Sequence, residues 1–126
     1  YIQQNVWMDM LKNPSIDYIT FEEIFLYEKR SFLQSIGHAV TFTNHNLVGI
    51  ELDLDCIKNT LSSAMSPIGF STNHARQFLH FTAADSKPAY LHICEGSTHL
   101  NDGQTDRKTG KLISYLVTDF IKAMAS

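Results

Sequence analysis

The sequence predicts an α/β fold, one domain over residues 1–126, built on a mainly parallel sheet with helices on both faces. Three observations carry this. Helical and extended segments alternate along the chain, the order that a helix-covered parallel sheet requires. Two extended segments, 47–55 and 89–95, begin as apolar runs and end in acids. The last segment carries an unbroken apolar stripe at helical spacing.

Element by element, residues 3–12 read as a short helix. Asn13-Pro14 stops it, because the residue before a proline is pushed out of the helical region. Residues 16–19 are a short strand candidate. Thr20-Phe21-Glu22-Glu23 fits a capping box, with Thr20 as N-cap and Glu23 reaching back. One long helix is expected over 21–42, with Phe25, Phe32, Ile36 and Val40 on a stripe. Asn44-His45-Asn46 is a turn. Residues 47–55 form a strand expected to be buried on both faces. Residues 57–71 hold one helical turn and then a loop at Ser66-Pro67-Ile68-Gly69. Ser71 or Thr72 caps a helix over 72–84, and Lys87-Pro88 closes it. Residues 89–94 are a second buried strand, ending at Glu95-Gly96. A polar loop over 97–104 leads to a final helix over 105–125, whose stripe runs through Leu112, Ile113, Leu116, Val117, Phe120, Ile121 and Met124.

The 126 residues suffice for one domain with a real core. Hydrophobic residues make up 44% and charged residues 18%, ordinary values for a soluble globular protein. The net charge of −3 is scattered, so nothing points to nucleic acid or to a membrane surface. There is no apolar run near the length of a membrane span and no signal-peptide pattern. Cys56 and Cys94 make no disulfide framework, which sets a reduced, cytoplasmic location as the expectation. The start, Tyr1-Ile2-Gln3-Gln4, lacks an initiator Met, so a preceding segment is expected.

Ligands of open parallel sheets bind beyond the carboxyl ends of the strands. The first buried strand delivers Asp53 and Asp55 to that edge. Residues i and i+2 of an extended strand share a side, and paired carboxylates suit hard cations such as Mn²⁺ or Mg²⁺. The second strand delivers Glu95, which can accept bidentate hydrogen bonds from a planar cation. Bland readings stand beside these. Asp-x-Asp also ends many strands that bind no metal. Glu51 continues the alternation, as a half-solvated strand would. Glu95 could be a surface acid or a structural ion-pair acceptor.

The stretch Gly49-Ile50-Glu51-Leu52-Asp53-Leu54-Asp55-Cys56-Ile57 resembles the second metal-binding signature of the ureohydrolases, the superfamily of arginase, agmatinase and formimidoylglutamase. Leu91-His92-Ile93-Cys94-Glu95-Gly96 looks like their later strand, and Ile19-Thr20-Phe21-Glu22-Glu23-Ile24 like the junction before the metal strand. Asn101-Asp102-Gly103-Gln104-Thr105, followed by an apolar helix, is closest to the formimidoylglutamase-like branch. The resemblance covers nearly the whole chain, as the C-terminal portion of such a domain. It implies a three-layer arginase-like fold and a cluster of two Mn²⁺ per complete active site. The metals would lower the pKa of a bridging water for attack on a formimino or guanidino carbon. Asp53 would bridge the metals, Asp55 would ligate one, and Glu95 would hold the substrate amidinium. The implied partners are a small amidine or guanidino substrate and further copies of the chain.

Departures limit this. The family also uses a metal-binding His on an earlier strand and an Asp-x-His-x-Asp cluster, and neither occurs in these residues. The family proline after the second metal motif is absent, since Cys56-Ile57-Lys58-Asn59 follows. The isolated chain is therefore expected to be catalytically silent, with none of its own residues assigned as catalytic. Two other classes remain. One is a non-catalytic α/β domain acting as a binding or assembly module. The other is an Asp-x-Asp nucleotide-sugar transferase, disfavoured by the lack of a Gly-rich loop or phosphate-contacting bases. Among the remaining residues, His92 is expected to be a satisfied structural histidine and His99 a solvated loop residue. His74 and His80 are expected to pack or cap, and His38 and His45 to sit near a helix end. Cys56 and Cys94, beside carboxylates, are expected to be unreactive. Trp7, Met8, Met10 and Leu11 are expected to pack against the body or a neighbouring subunit.

Overall fold

The computed structural model describes residues 2–126, with side chains from residue 5 onward. The chain forms two compact units, Tyr1–Phe42 and Thr43–Ser126.

In the first unit, α1 (Ile2–Met10) occupies the expected helix. Its apolar residues Val6, Trp7, Met8 and Met10 are exposed. Residues 16–19 form no strand. Asp17 accepts from the Tyr18 amide and pairs with the distant His38, which lies in α3 (Phe32–Thr43). His38 thus lies inside a helix, not at its end. The capping box holds as expected, with Glu23 N donating to Thr20 Oγ1 and Thr20 N donating to Glu23 Oε2.

The long helix is instead two, α2 (Phe21–Phe25) and α3 (Phe32–Thr43). Tyr27 N and Lys29 N close onto Glu22 O and Glu23 O, and Glu28 turns left-handed at φ 49. Ser31 and Gln34 then bond reciprocally, side chain to backbone, and start the second helix. A capping box here overrides the apolar stripe, because it satisfies two backbone donors that a continuous helix would have bonded internally. The turn at residues 44–46 follows as expected.

In the second unit, β1 (Gly49–Asp53) and β2 (Tyr90–Cys94) pair in parallel, with Ile50 opposite Leu91 and Asp53 opposite Cys94. Between them run a 3₁₀ turn, η1 (Leu54–Cys56), an irregular loop and α4 (Thr72–Ser86); α5 (Lys108–Ala125) follows β2. Ile50, Leu52, Leu54, Ile57, Ala75, Leu79 and Leu116 form the core, flanked by Leu91 and Ile93. Both helices thus pack on one face of the strand pair. The strands are not buried on both faces: Glu51 and Asp53 alternate outward, as do Tyr90 and His92. The helical turn expected within 57–71 is absent. Phe70 N donates to Cys56 O at 2.8 Å and Lys58 N to Phe70 O at 2.9 Å, which zips the two ends of that loop together. Gly69 permits this, since a Cβ there would lie 2.5 Å from the Cys56 carbonyl oxygen.

The helix ends follow local rules. Ser71 caps α4 in a box closed by His74. Lys87 ends α4 in the left-handed region, φ 46, and its ammonium reaches the carbonyls of Ala123, Met124 and Ser126 at 3.2, 3.4 and 2.7 Å. One lysine therefore closes α4 and neutralises the last turn of α5. The helices are also joined by Arg76, which grips Asp119 through Nε and Nη2 at 2.6 and 3.1 Å.

Candidate functional site

The polar ends of the two strands meet at one edge, as an open parallel arrangement dictates. Asp53 is the last residue of β1. Asp55 lies beyond it in η1, so the strand rule of i and i+2 does not place the pair. They are drawn together instead by Asp53 Oδ1, which accepts from the Asp55 amide at 2.8 Å and caps the turn. Glu95 follows β2 with φ 63, a left-handed backbone that L residues adopt at a cost.

Ser63 joins the acids and was not singled out by the sequence. Its hydroxyl lies 3.0 Å from Glu95 Oε2 and 3.4 Å from Asp55 Oδ2. With one proton, it donates to one of the two carboxylates at a time. The Ala64 amide donates to Asp55 Oδ1 at 3.3 Å. Ser62 pairs with Gly96 across the same seam, and Ser97 N donates to Leu61 O at 2.9 Å. The structure therefore brings Asp55 and Glu95 to one hydroxyl, with Asp53 one hydrogen bond away. No spacing pattern marks Ser63 among the serines of its loop.

Burial raises the Cys56 thiol to about 11, assisted by the Asp53 carboxylate. Cys94 is shifted the same way, by burial and then by Asp53 and Glu95, and its Sγ contacts Leu52 O. Both cysteines are held as thiols, as expected beside acids. His92 is satisfied by Glu51 across the strands, and that bond holds the Glu51 carboxyl below its ordinary value. Tyr90 also bonds Glu51, and the carboxylate pushes the phenol upward. The His99 backbone is tied to the Ser97 hydroxyl and bridges to Thr105.

Carboxylate oxygens are the correct donors for a hard divalent cation, which takes about six ligands. Among the described residues, however, no three His, Cys, Asp or Glu side chains converge as a ligand group. Asp55 already accepts at both oxygens and Asp53 at one. These residues alone do not fit a manganese centre. What they can do unaided is present a row of acceptors to a planar, cationic group. Among the described residues, no helix is long and apolar enough to cross a membrane.

No family model and no curated protein matches the chain. Among solved structures, it is similar to the native arginase of Bacillus caldovelox at pH 5.6, with a TM-score of 0.71 and 12% identity. The match covers 92% of this chain and 38% of that one. The chain has an arginase-like α/β fold, and it spans well under half the length of that neighbour.

Proposed function

We propose that this chain carries the carboxylate side of a hydrolase that cleaves a C–N bond in linear amidines, a formimino or guanidino group. One observation carries the reading: Asp53, Asp55 and Glu95 gather at the carboxyl edge of a parallel strand pair in an arginase-like fold. Glu95 receives the planar cation of the substrate. Asp53 and Asp55 would be the carboxylates offered to a manganese cluster, which these residues do not complete by themselves. The motif resemblance favours formimidoylglutamate over arginine or agmatine.

A calorimetric Mn²⁺ titration of the chain, with Asp53→Asn, Asp55→Asn as control, tests the shared-ligand part. Weak or absent binding is expected. Tight binding of two ions, lost in the double variant, would show that the chain completes its own centre. Amide NMR with a guanidino ligand tests the substrate part. Shifts are expected at Ser63, Glu95 and Ser97, and they should vanish in Glu95→Gln. No shift at these amides would favour a second reading, a non-catalytic α/β module for binding or assembly.

A further inference from the structure

The residue that closes the α4 capping box is a histidine, where glutamate or glutamine is usual. His74 Nδ1 lies 3.2 Å from Ser71 N, and His74 N donates to Ser71 Oγ at 3.1 Å. A backbone N–H can only donate, so this bond requires a neutral ring with its proton on Nε2. An imidazolium carries a proton on both nitrogens and offers the Ser71 amide no acceptor.

Two further effects act in the same direction. The ring sits in the first turn of a helix of 15 residues, whose amide dipoles disfavour a cation there. Lys58, in the loop after η1, adds a positive charge that acts on the ring. The ring is half-buried and meets Phe70 edge-on, with centroids 6.4 Å apart. Desolvation first, and Lys58 second, hold its pKa below the ordinary value.

What the box holds is more than a helix end. Ser71 directly follows Phe70, whose amide and carbonyl bond Cys56 O and Lys58 N. Cys56 is the last residue of η1, the turn that contains Asp55. Gly69 fits against the Cys56 carbonyl with no room for a side chain. The start of α4, the 69–70 segment and the turn bearing Asp55 thus form one hydrogen-bonded run.

We infer that His74 is a pH-operated latch, whose neutral ring locks the start of α4 and the 69–71 segment onto Cys56 and Lys58, and whose protonation releases them. The sign follows from the shift. A histidine with a depressed folded-state pKa contributes stability that is present above its unfolded value, about 6.5. That contribution is lost as pH falls through the folded value.

The test is amide hydrogen exchange on the full chain between pH 5 and pH 8, read as protection factors. The Ala75, Phe70 and Lys58 amides donate to Ser71 O, Cys56 O and Phe70 O, and they report the latch directly. In the wild type their protection should fall about tenfold on acidification, the scale of a lost helix cap. In His74→Gln, which keeps an acceptor but cannot take up a proton, it should stay constant. Equal loss in both proteins, or no loss in the wild type, overturns the latch. If the variant does not fold, imidazole NMR of the wild type decides. A His74 midpoint below 6.5 with coincident shifts at Phe70 and Lys58 sustains the latch, and a midpoint at or above 6.5 ends it.

Discussion

At the scale of single residues, glycines separate backbone constraints from side-chain ones. A methyl at Gly69 would meet the fixed carbonyl of Cys56, whereas one at Gly49 would first meet the Tyr90 side chain. Tyr90 is 52% exposed and can swing aside. Gly69→Ala should therefore cost roughly 1–3 kcal/mol, the scale of overpacking, and Gly49→Ala clearly less. Urea unfolding of the two variants gives the ranking, and a larger loss at Gly49 would contradict it. The acids at the strand ends were legible because Asp53, Asp55 and Glu95 punctuate apolar runs. Ser63 was not, because its importance is purely spatial: it is 32 positions from Glu95 in sequence. His92 was legible as structural, although its partner Glu51 lies on the other strand.

At the scale of elements, three capping boxes set where helices begin: Thr20 with Glu23, Ser31 with Gln34, and Ser71 with His74. Ser31→Ala should destabilise the start of α3 by about 1 kcal/mol, measurable as a lowered denaturation midpoint. Its signature, Ser-x-x-Gln, stood in the sequence. The apolar stripe through Phe25, Phe32 and Ile36 masked it by suggesting one continuous helix. Residues 16–19 show the opposite error: local β-branched character made a strand plausible, but a strand needs a pairing partner that no short window reveals. Between α4 and α5, the Arg76 guanidinium holds the Asp119 carboxyl below its ordinary value, mainly by hydrogen bonding. A depressed carboxylate contributes stability above its unfolded pKa, near 3.8, and loses it as pH falls through the folded value. Acid unfolding should consequently be less steep in Asp119→Asn than in the wild type. Identical acid limbs would show that the pair contributes nothing.

At the scale of the whole molecule, the second unit contains a sheet of two parallel strands. Among the described residues, each strand has one backbone edge without a sheet partner, and the face bearing Glu51 and His92 is exposed. Parallel pairs are normally interior strands of larger sheets, and open edges recruit other strands. Self-association that rises with concentration is the expected behaviour of the chain, and light scattering reads it. A clean monomer at high concentration would contradict it. The α/β class was legible because helix and strand periods alternate along the sequence. The extent of strand burial was not, since an apolar run looks the same whether one face or both are covered.

Glu28 and Glu95 share a left-handed backbone, at φ 49 and 63. Glycine is free of the Cβ clash there and should raise stability at either position by roughly 0.5–1 kcal/mol, net of its own entropy. A laboratory selection for heat resistance would therefore enrich glycine at both sites alike. At 28 the gain comes without a known loss. At 95 the sturdier protein would be missing the carboxylate assigned to the substrate, a defect that a melting curve would record as an improvement.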